Sequence, residues 1–367
     1  MKLLFRIPVR MVLLLLVAGA SASLLSLALV QGLESAGIET PRTTLNVLSR
    51  WQDRVQTVRS REAVAYLGDS TAFSDKGYKY TIPGRIGKQL AEAEGMPPLV
   101  SLADAGLGPV DYYLLASELA QARPPAIVLS VNLASLSPVW MSRSSHPELA
   151  SLLGLRRWPE AFGLPLSDSG LTADRLFLYP SIHALGLSGT WKALVEYQAR
   201  VLAGWRALEN HLDGSRGPIA LRRLAGLGRL SAEREDERLL RAQQWARYGK
   251  AIGGLDEMDP NLQVLAATLK NWHRAGIPVL LVVLPVNIDL FEALEIANPE
   301  ALQRTCDRLM EVARSQGAYG LDLHGLLPSV SFADHYGHFV HGTEPDGARR
   351  IADRITPVLE SMVGGRL

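Results

Sequence analysis

Short apolar runs alternate with amphipathic stretches in two separate parts of the chain. Residues 63–67 (AVAYL), 99–102 (LVSL), 126–131 (AIVLSV), 277–284 (IPVLLVVL) and 319–323 (YGLDL) are apolar runs of strand length. Such runs, with little polar alternation, mark strands covered on both faces, as in parallel sheets. Between them lie segments whose apolar residues recur three and four apart: Ile86, Leu90 and Ala93; residues 110–120; residues 262–275; and a helix opened by Asn298-Pro299. Proline is favoured at a first helical position, which places that start. A closing helix is expected over 345–355, with Ala348, Ile351, Ala352 and Ile355 on its inner face. Strand and helix in strict alternation predict an α/β domain on a doubly wound parallel sheet.

The stretch from about 140 to 258 breaks this rhythm. It is rich in Leu, Ala and Arg, and 191–212 and 231–248 read as helices, the second with Ser231 as N-cap and acidic residues in its first turn. It predicts a helical insertion covering one side of the sheet, with a lid, a substrate platform or a surface for a membrane partner as sharper readings. At the other end, Lys2, Arg6 and Arg10 precede an uncharged run over 11–30. About twenty apolar residues at roughly 1.5 Å each span a bilayer's hydrocarbon core. The basic residues place the N-terminus in the cytoplasm and the bulk of the chain outside it, in the periplasm of a Gram-negative cell. Ala20-Ser21-Ala22 also fits a signal-peptidase site, but cleavage there would leave 24–30 exposed, so an uncleaved anchor is the preferred reading. The expected organisation is therefore an anchor over 1–31, a connector over 32–60 and one large domain over 61–367. The connector carries a helix opened near Pro41-Arg42-Thr43 that turns Leu45, Leu48, Trp51 and Val55 inward.

Charge narrows the partners. The 38 basic and 37 acidic residues nearly cancel, so no global field attracts nucleic acid. The single cysteine excludes an internal disulfide, and Cys306 falls at helical spacing with Leu302, Leu309, Met310 and Ala313, as a small buried hydrophobe does.

The candidate chemistry sits just past the predicted strands. The first run ends at Gly68-Asp69-Ser70, the second leads to Gly106, the third ends at Asn132, and the last leads to a loop holding Asp334, His335, His338 and His341. In open α/β sheets chemistry collects beyond the carboxyl ends of strands. A serine nucleophile needs a base to take its proton and a carboxylate to orient that base. Three histidines spaced by three beside Asp334 also suit zinc, although Gly337 and Gly342 argue for a loop that would not align them. No metal and no cofactor is expected.

These blocks resemble the SGNH (GDSL-like) hydrolase superfamily over roughly 62–135 and 277–356: Gly68-Asp69-Ser70 after a strand, Gly106 in SLADAGLGPVD, Ser130-Val131-Asn132 for Gly-x-Asn, and an acid–histidine block before the last helix. The resemblance implies a three-layer fold and a Ser-His-Asp mechanism with Ser70 as nucleophile and Asp334 orienting the base. It implies an oxyanion hole made by the Ser70 and Gly106 N–H groups and the Asn132 amide. Asp69 is expected to shape the nucleophile turn. The chain departs from the family in two places. Ser130 replaces a glycine, and the family spacing of Asp-x-x-His lands on Gly337, leaving His338 and His341 both open as the base and His335 behind them. The expected activity is that of a membrane-anchored esterase or acyltransferase acting on O-acyl groups, O-acetyl among them, of envelope glycans or lipids, with a membrane acyltransferase as possible partner. The competing expectation is a catalytically silent glycan-binding or accessory protein of the same fold.

Overall fold

The computed structural model describes residues 45–74, 76–137, 149, 164, 229–255, 259–334 and 337–365. The expected anchor, most of the insertion, the expected helix over 191–212, and His335 lie outside them. The chain divides into two units, and nearly all described residues belong to the one formed by Arg50–Ala184 with Leu230–Leu367. Among the described residues no helix is long and apolar enough to cross a membrane.

In chain order the elements are α1 (Leu45–Ser60), β1 (Val64–Leu67), α2 (Ile82–Glu92), β2 (Leu99–Ser101), α3 (Pro109–Ala122), β3 (Ile127–Val131), α4 (Arg229–Gly253), α5 (Pro260–Arg274), β4 (Val279–Val283), α6 (Ile288–Ala293), α7 (Pro299–Ser315), β5 (Tyr319–Asp322) and α8 (Gly347–Val363). The five strands form one parallel sheet in the order β2-β1-β3-β4-β5. The three inner strands β1, β3 and β4 are buried at every position, whereas the edge strands β2 and β5 are half-buried or exposed. That is why the inner runs read as unbroken apolar sequence and the edge runs carry Ser101, Gly320 and Asp322.

Alternate residues face opposite sides of a strand. Val64, Tyr66, Val128, Leu280 and Val282 form one core with Ile82, Ile86 and Leu90 of α2 and Ile351, Ile355 and Leu359 of α8. Each fully buried side chain of this size contributes on the order of 2 kcal/mol. The opposite face (Ala65, Leu67, Ile127, Leu129, Leu281, Val283) is equally buried. On its side α3 packs against α5, and Trp272 donates its indole N–H to the Ala116 carbonyl at 3.2 Å. Helices α5 and α7 also pack together, and Cys306 is fully buried in α7 beside Leu302 and Leu309, as its spacing predicts.

Caps set most helix starts: Thr81 for α2, Asp259 for α5, Asn298 for α7 and Asp346 for α8. The starts of α8 and α4 differ from those expected. Helix α8 begins at Gly347 because the Asp346 carboxylate, not Pro345, meets the first free N–H groups, and it runs on to Val363. Helix α4 begins at Arg229, so Ser231 lies inside its first turn. Arg and Leu at 229 and 230 are good helix formers that extend the element upstream.

At the end of β5 His324 folds back on Asp322, its Nδ1 at 2.9 and 3.0 Å from the two carboxylate oxygens and its backbone N–H at 3.0 Å from one of them. Burial alone would raise Asp322, but the His324 hydrogen bonds outweigh it and hold the carboxyl below its usual range. The same hydrogen bond raises His324 against an opposing effect of burial. A raised histidine stabilises the fold below its unfolded value near 6.5 and loses that as pH climbs through the folded value. A lowered carboxyl stabilises above about 3.9 and loses that as pH falls through its folded value. The urea midpoint difference between wild type and His324→Ala should therefore peak between about pH 4 and 6.5 and shrink on both sides. A difference constant from pH 4 to 9 would rule the pair out as a source of stability.

Candidate active site

The order of the sheet decides where the chemistry gathers. β2 pairs outward from β1, and the chain then crosses back to lay β3 on the other side of β1. This reversal opens a crevice at the carboxyl ends of β1 and β3, the place where doubly wound sheets bind ligands. Ser70 follows β1 and Asn132 follows β3, so both stand at its rim.

The turn after β1 is fixed by two close approaches. A Cβ on Gly68 would lie 2.3 Å from Ser130 Oγ. Ser130 is buried, and its hydroxyl donates to the Leu67 carbonyl at 2.9 Å. Serine thus fills on β3 the space that glycine leaves on β1, which explains the departure at 130. Gly68→Ala should lower stability by about 1–3 kcal/mol, as overpacking does. Adding Ser130→Gly should restore most of it in denaturant titrations; no rescue would mean that the clash lies elsewhere.

Asp69 then caps the short 3-10 turn Ser70–Ala72. One carboxylate oxygen accepts from Thr71 N at 2.9 Å and from Thr71 Oγ1 at 2.5 Å, and the other accepts from Asn132 Nδ2 at 3.1 Å. A carboxylate only 2% exposed needs such donors, and here they tie the Ser70 turn to the Asn132 turn. Asn132 Oδ1 accepts from Ala134 N at 3.0 Å, which fixes the amide plane. The third strand end arrives alongside: Leu102 N donates to Tyr66 O at 2.7 Å and Asp104 N to Gly68 O at 3.2 Å. Gly106 follows at φ +80°, a conformation that glycine adopts without strain. The backbone N–H groups of Ser70 and Gly106 donate to no acceptor among the described residues.

The candidate base comes from the loop before α8. Phe332 and Phe339 form an isolated antiparallel bridge with their rings 5.6 Å apart, and Phe339 is fully buried in the sheet core. Between them the chain turns at Gly337, φ +86°. His338 N donates to Asp334 Oδ1 at 3.1 Å, His338 Nδ1 lies 2.7 Å from Asp334 Oδ2, and His338 Nε2 lies 3.1 Å from Ser70 Oγ. With the carboxylate as acceptor, Nδ1 carries the proton and Nε2 offers its lone pair to the Ser70 hydroxyl. The His338 and Asp334 side chains are 36% and 35% exposed, so the pair is open to solvent.

Of the two histidines left open by the sequence, the structure brings His338 to Ser70. His341 turns its Nδ1 to the Tyr80 carbonyl at 3.0 Å, and its own carbonyl accepts from Lys76 Nζ at 2.7 Å. Its loop is held further by Asp346, which accepts from Gly342 N at 2.8 Å and pairs with Arg85. His341 thus fastens the loop to the 3-10 turn Tyr78–Tyr80.

Two features were not read from the sequence. Cys306, Asp322 and His324 bring possible metal-ligand atoms within 4.8 Å of one another, but Asp322 and His324 are spent on each other as described above. Burial, ahead of the nearby Asp322 and Asp307 charges, pushes the Cys306 thiol up, away from the thiolate a metal needs. The second is Tyr248 of α4. It is 3% exposed and packs on Phe291 of α6 with ring centroids 5.1 Å apart. Its hydroxyl reaches the site: a Cβ on Gly337 would lie 2.8 Å from it, and the Asn132 amide stands near it. A tyrosine near the end of a mostly polar helix, over a hundred residues from Asn132, gives no local sign of this.

No protein-family model matches the chain, and no curated protein matches it.

Proposed function

We propose that this protein is a serine-dependent acyl-transfer enzyme of SGNH-like design, an esterase or O-acyltransferase. The observation that carries the reading is the chain of contacts Ser70 Oγ–His338 Nε2 at 3.1 Å and His338 Nδ1–Asp334 Oδ2 at 2.7 Å, standing at the carboxyl edge of the sheet. Ser70 Oγ attacks the ester carbonyl as His338 Nε2 takes its proton, and the carbonyl π pair moves onto oxygen. The Ser70 and Gly106 N–H groups and the Asn132 amide receive that oxyanion, each such donor supplying roughly 3–4 kcal/mol of barrier lowering. Collapse expels the alkoxide, which takes the proton from His338. Water or a sugar hydroxyl then gives its proton to the same nitrogen and attacks the acyl-serine, releasing Ser70.

The substrate class follows from address and resemblance: O-acyl groups on envelope glycans or lipids, met outside the cytoplasm by a domain tethered through residues 11–30. The three-layer fold with a helical insertion belongs to the same proposal. The test is incubation of the detergent-solubilised full chain with a fluorophosphonate probe, followed by mass mapping. The label is expected on Ser70 alone. A chain that stays unlabelled is a silent scaffold that binds glycan or serves a membrane acylation partner.

A further inference from the structure

Helix α4 is not part of the sheet's strand–helix alternation, yet it places one phenol against the Gly337 turn, near Asn132. The Asn132 side-chain amide is planar and already held at two corners. Its Oδ1 accepts from Ala134 N, and one of its N–H groups goes to Asp69 Oδ2. The direction of the second N–H is therefore fixed, and Tyr248 Oη abuts Gly337, the residue before His338, and stands near this amide without a hydrogen bond to it. An anion that receives the second Asn132 N–H consequently stands within reach of the phenol O–H. Burial first, and then the Asp69 charge, raise the phenol so far that it stays protonated, and hence a donor, at any pH where the enzyme works.

We propose that Tyr248 is a further catalytic residue of the acyl-transfer site, donating its O–H to the oxyanion beside the Asn132 amide. The inference rests on the acyl-transfer reading above. It means that the oxyanion hole is not completed by the sheet's own strand ends but by a side chain from α4, and that acyl transfer depends on α4 being seated. Glycine at 337 is required twice over, by its positive φ and by the hydroxyl that would meet a Cβ there.

The experiment compares wild type, Tyr248→Phe and Ser70→Ala as full-length chains, with p-nitrophenyl acetate as substrate and a fluorophosphonate as probe. Phenylalanine keeps the ring and its contact with Phe291, so the thermal midpoint should not move. The expected result is a kcat about a hundredfold lower with little change in KM, the mark of a group that acts on the transition state. Phosphonylation of Ser70 should slow in parallel, because its adduct places an oxygen where the oxyanion forms. A Tyr248→Phe enzyme with wild-type kcat overturns the inference and leaves the acyl-transfer reading standing. So does a loss confined to KM or accompanied by a lower midpoint, which marks a packing role. A wild-type chain silent to both ester and probe, like Ser70→Ala, overturns the acyl-transfer reading and this inference with it.

Discussion

Ser70→Ala should abolish both ester hydrolysis and probe labelling, and His338→Ala should lower turnover by about six orders of magnitude, as loss of either group does in a triad. The double variant should be no worse than either single one, because in the proposed mechanism Ser70 and His338 pass one proton between them and act as a unit. The fold should survive both changes, since Ser70 is only half-buried and its oxygen's partner is His338, itself half-open to solvent. His341→Ala separates the two histidines that the sequence left level. His341 is 7% exposed and bonded to the Tyr80 carbonyl, so its loss should cost about 1 kcal/mol of stability and less than about tenfold in turnover. The measurements are steady-state ester hydrolysis, probe labelling and a denaturant midpoint for each variant. A His341→Ala enzyme as dead as Ser70→Ala, with His338→Ala active, would reverse the assignment.

What the sequence disclosed and what it hid divide along a physical line. The inner strands were legible because burial on both faces forces an unbroken apolar run, as in 279–283, and the edge strand β5, with Tyr319 exposed, was legible mainly from its position between helices. Ser70, Gly106 and Asn132 could be placed because each is tied to the end of a strand, and strand ends converge whatever the loops do. The base could not be chosen because the loop before α8 has no periodicity to count along. There the left-handed turn at Gly337 decides which residue points at Ser70, putting His338 four residues after Asp334 on the same carboxylate where a three-residue spacing would end at the glycine. Ser130 looked like a weakened motif, yet it is the volume complement of Gly68, a relation visible only across the β1–β3 pair. Tyr248 is the extreme case, since its place depends wholly on where α4 packs.

Asp334→Asn should cost about four orders of magnitude in turnover while leaving the fold and the Ser70 side chain in place, and the reason lies in which oxygen does what. Asp334 Oδ1 accepts from the His338 backbone N–H at 3.1 Å, and Oδ2 faces His338 Nδ1 at 2.7 Å. An asparagine must keep an oxygen on the backbone donor, because a backbone N–H can only be met by an acceptor. Its NH2 group is then forced into the Oδ2 position, where it donates to Nδ1. Histidine answers by moving its proton to Nε2, which then faces the Ser70 hydroxyl as a second donor and cannot take its proton. The carboxylate that would stabilise the imidazolium is lost in the same change. Circular dichroism and the denaturant midpoint should stay near wild type while kcat collapses and KM holds, and probe labelling of Ser70 should slow to match. An Asp334→Asn enzyme within about tenfold of wild type would show that the Phe332–Phe339 loop orients His338 unaided, and Asp334 would then be a structural residue of that loop.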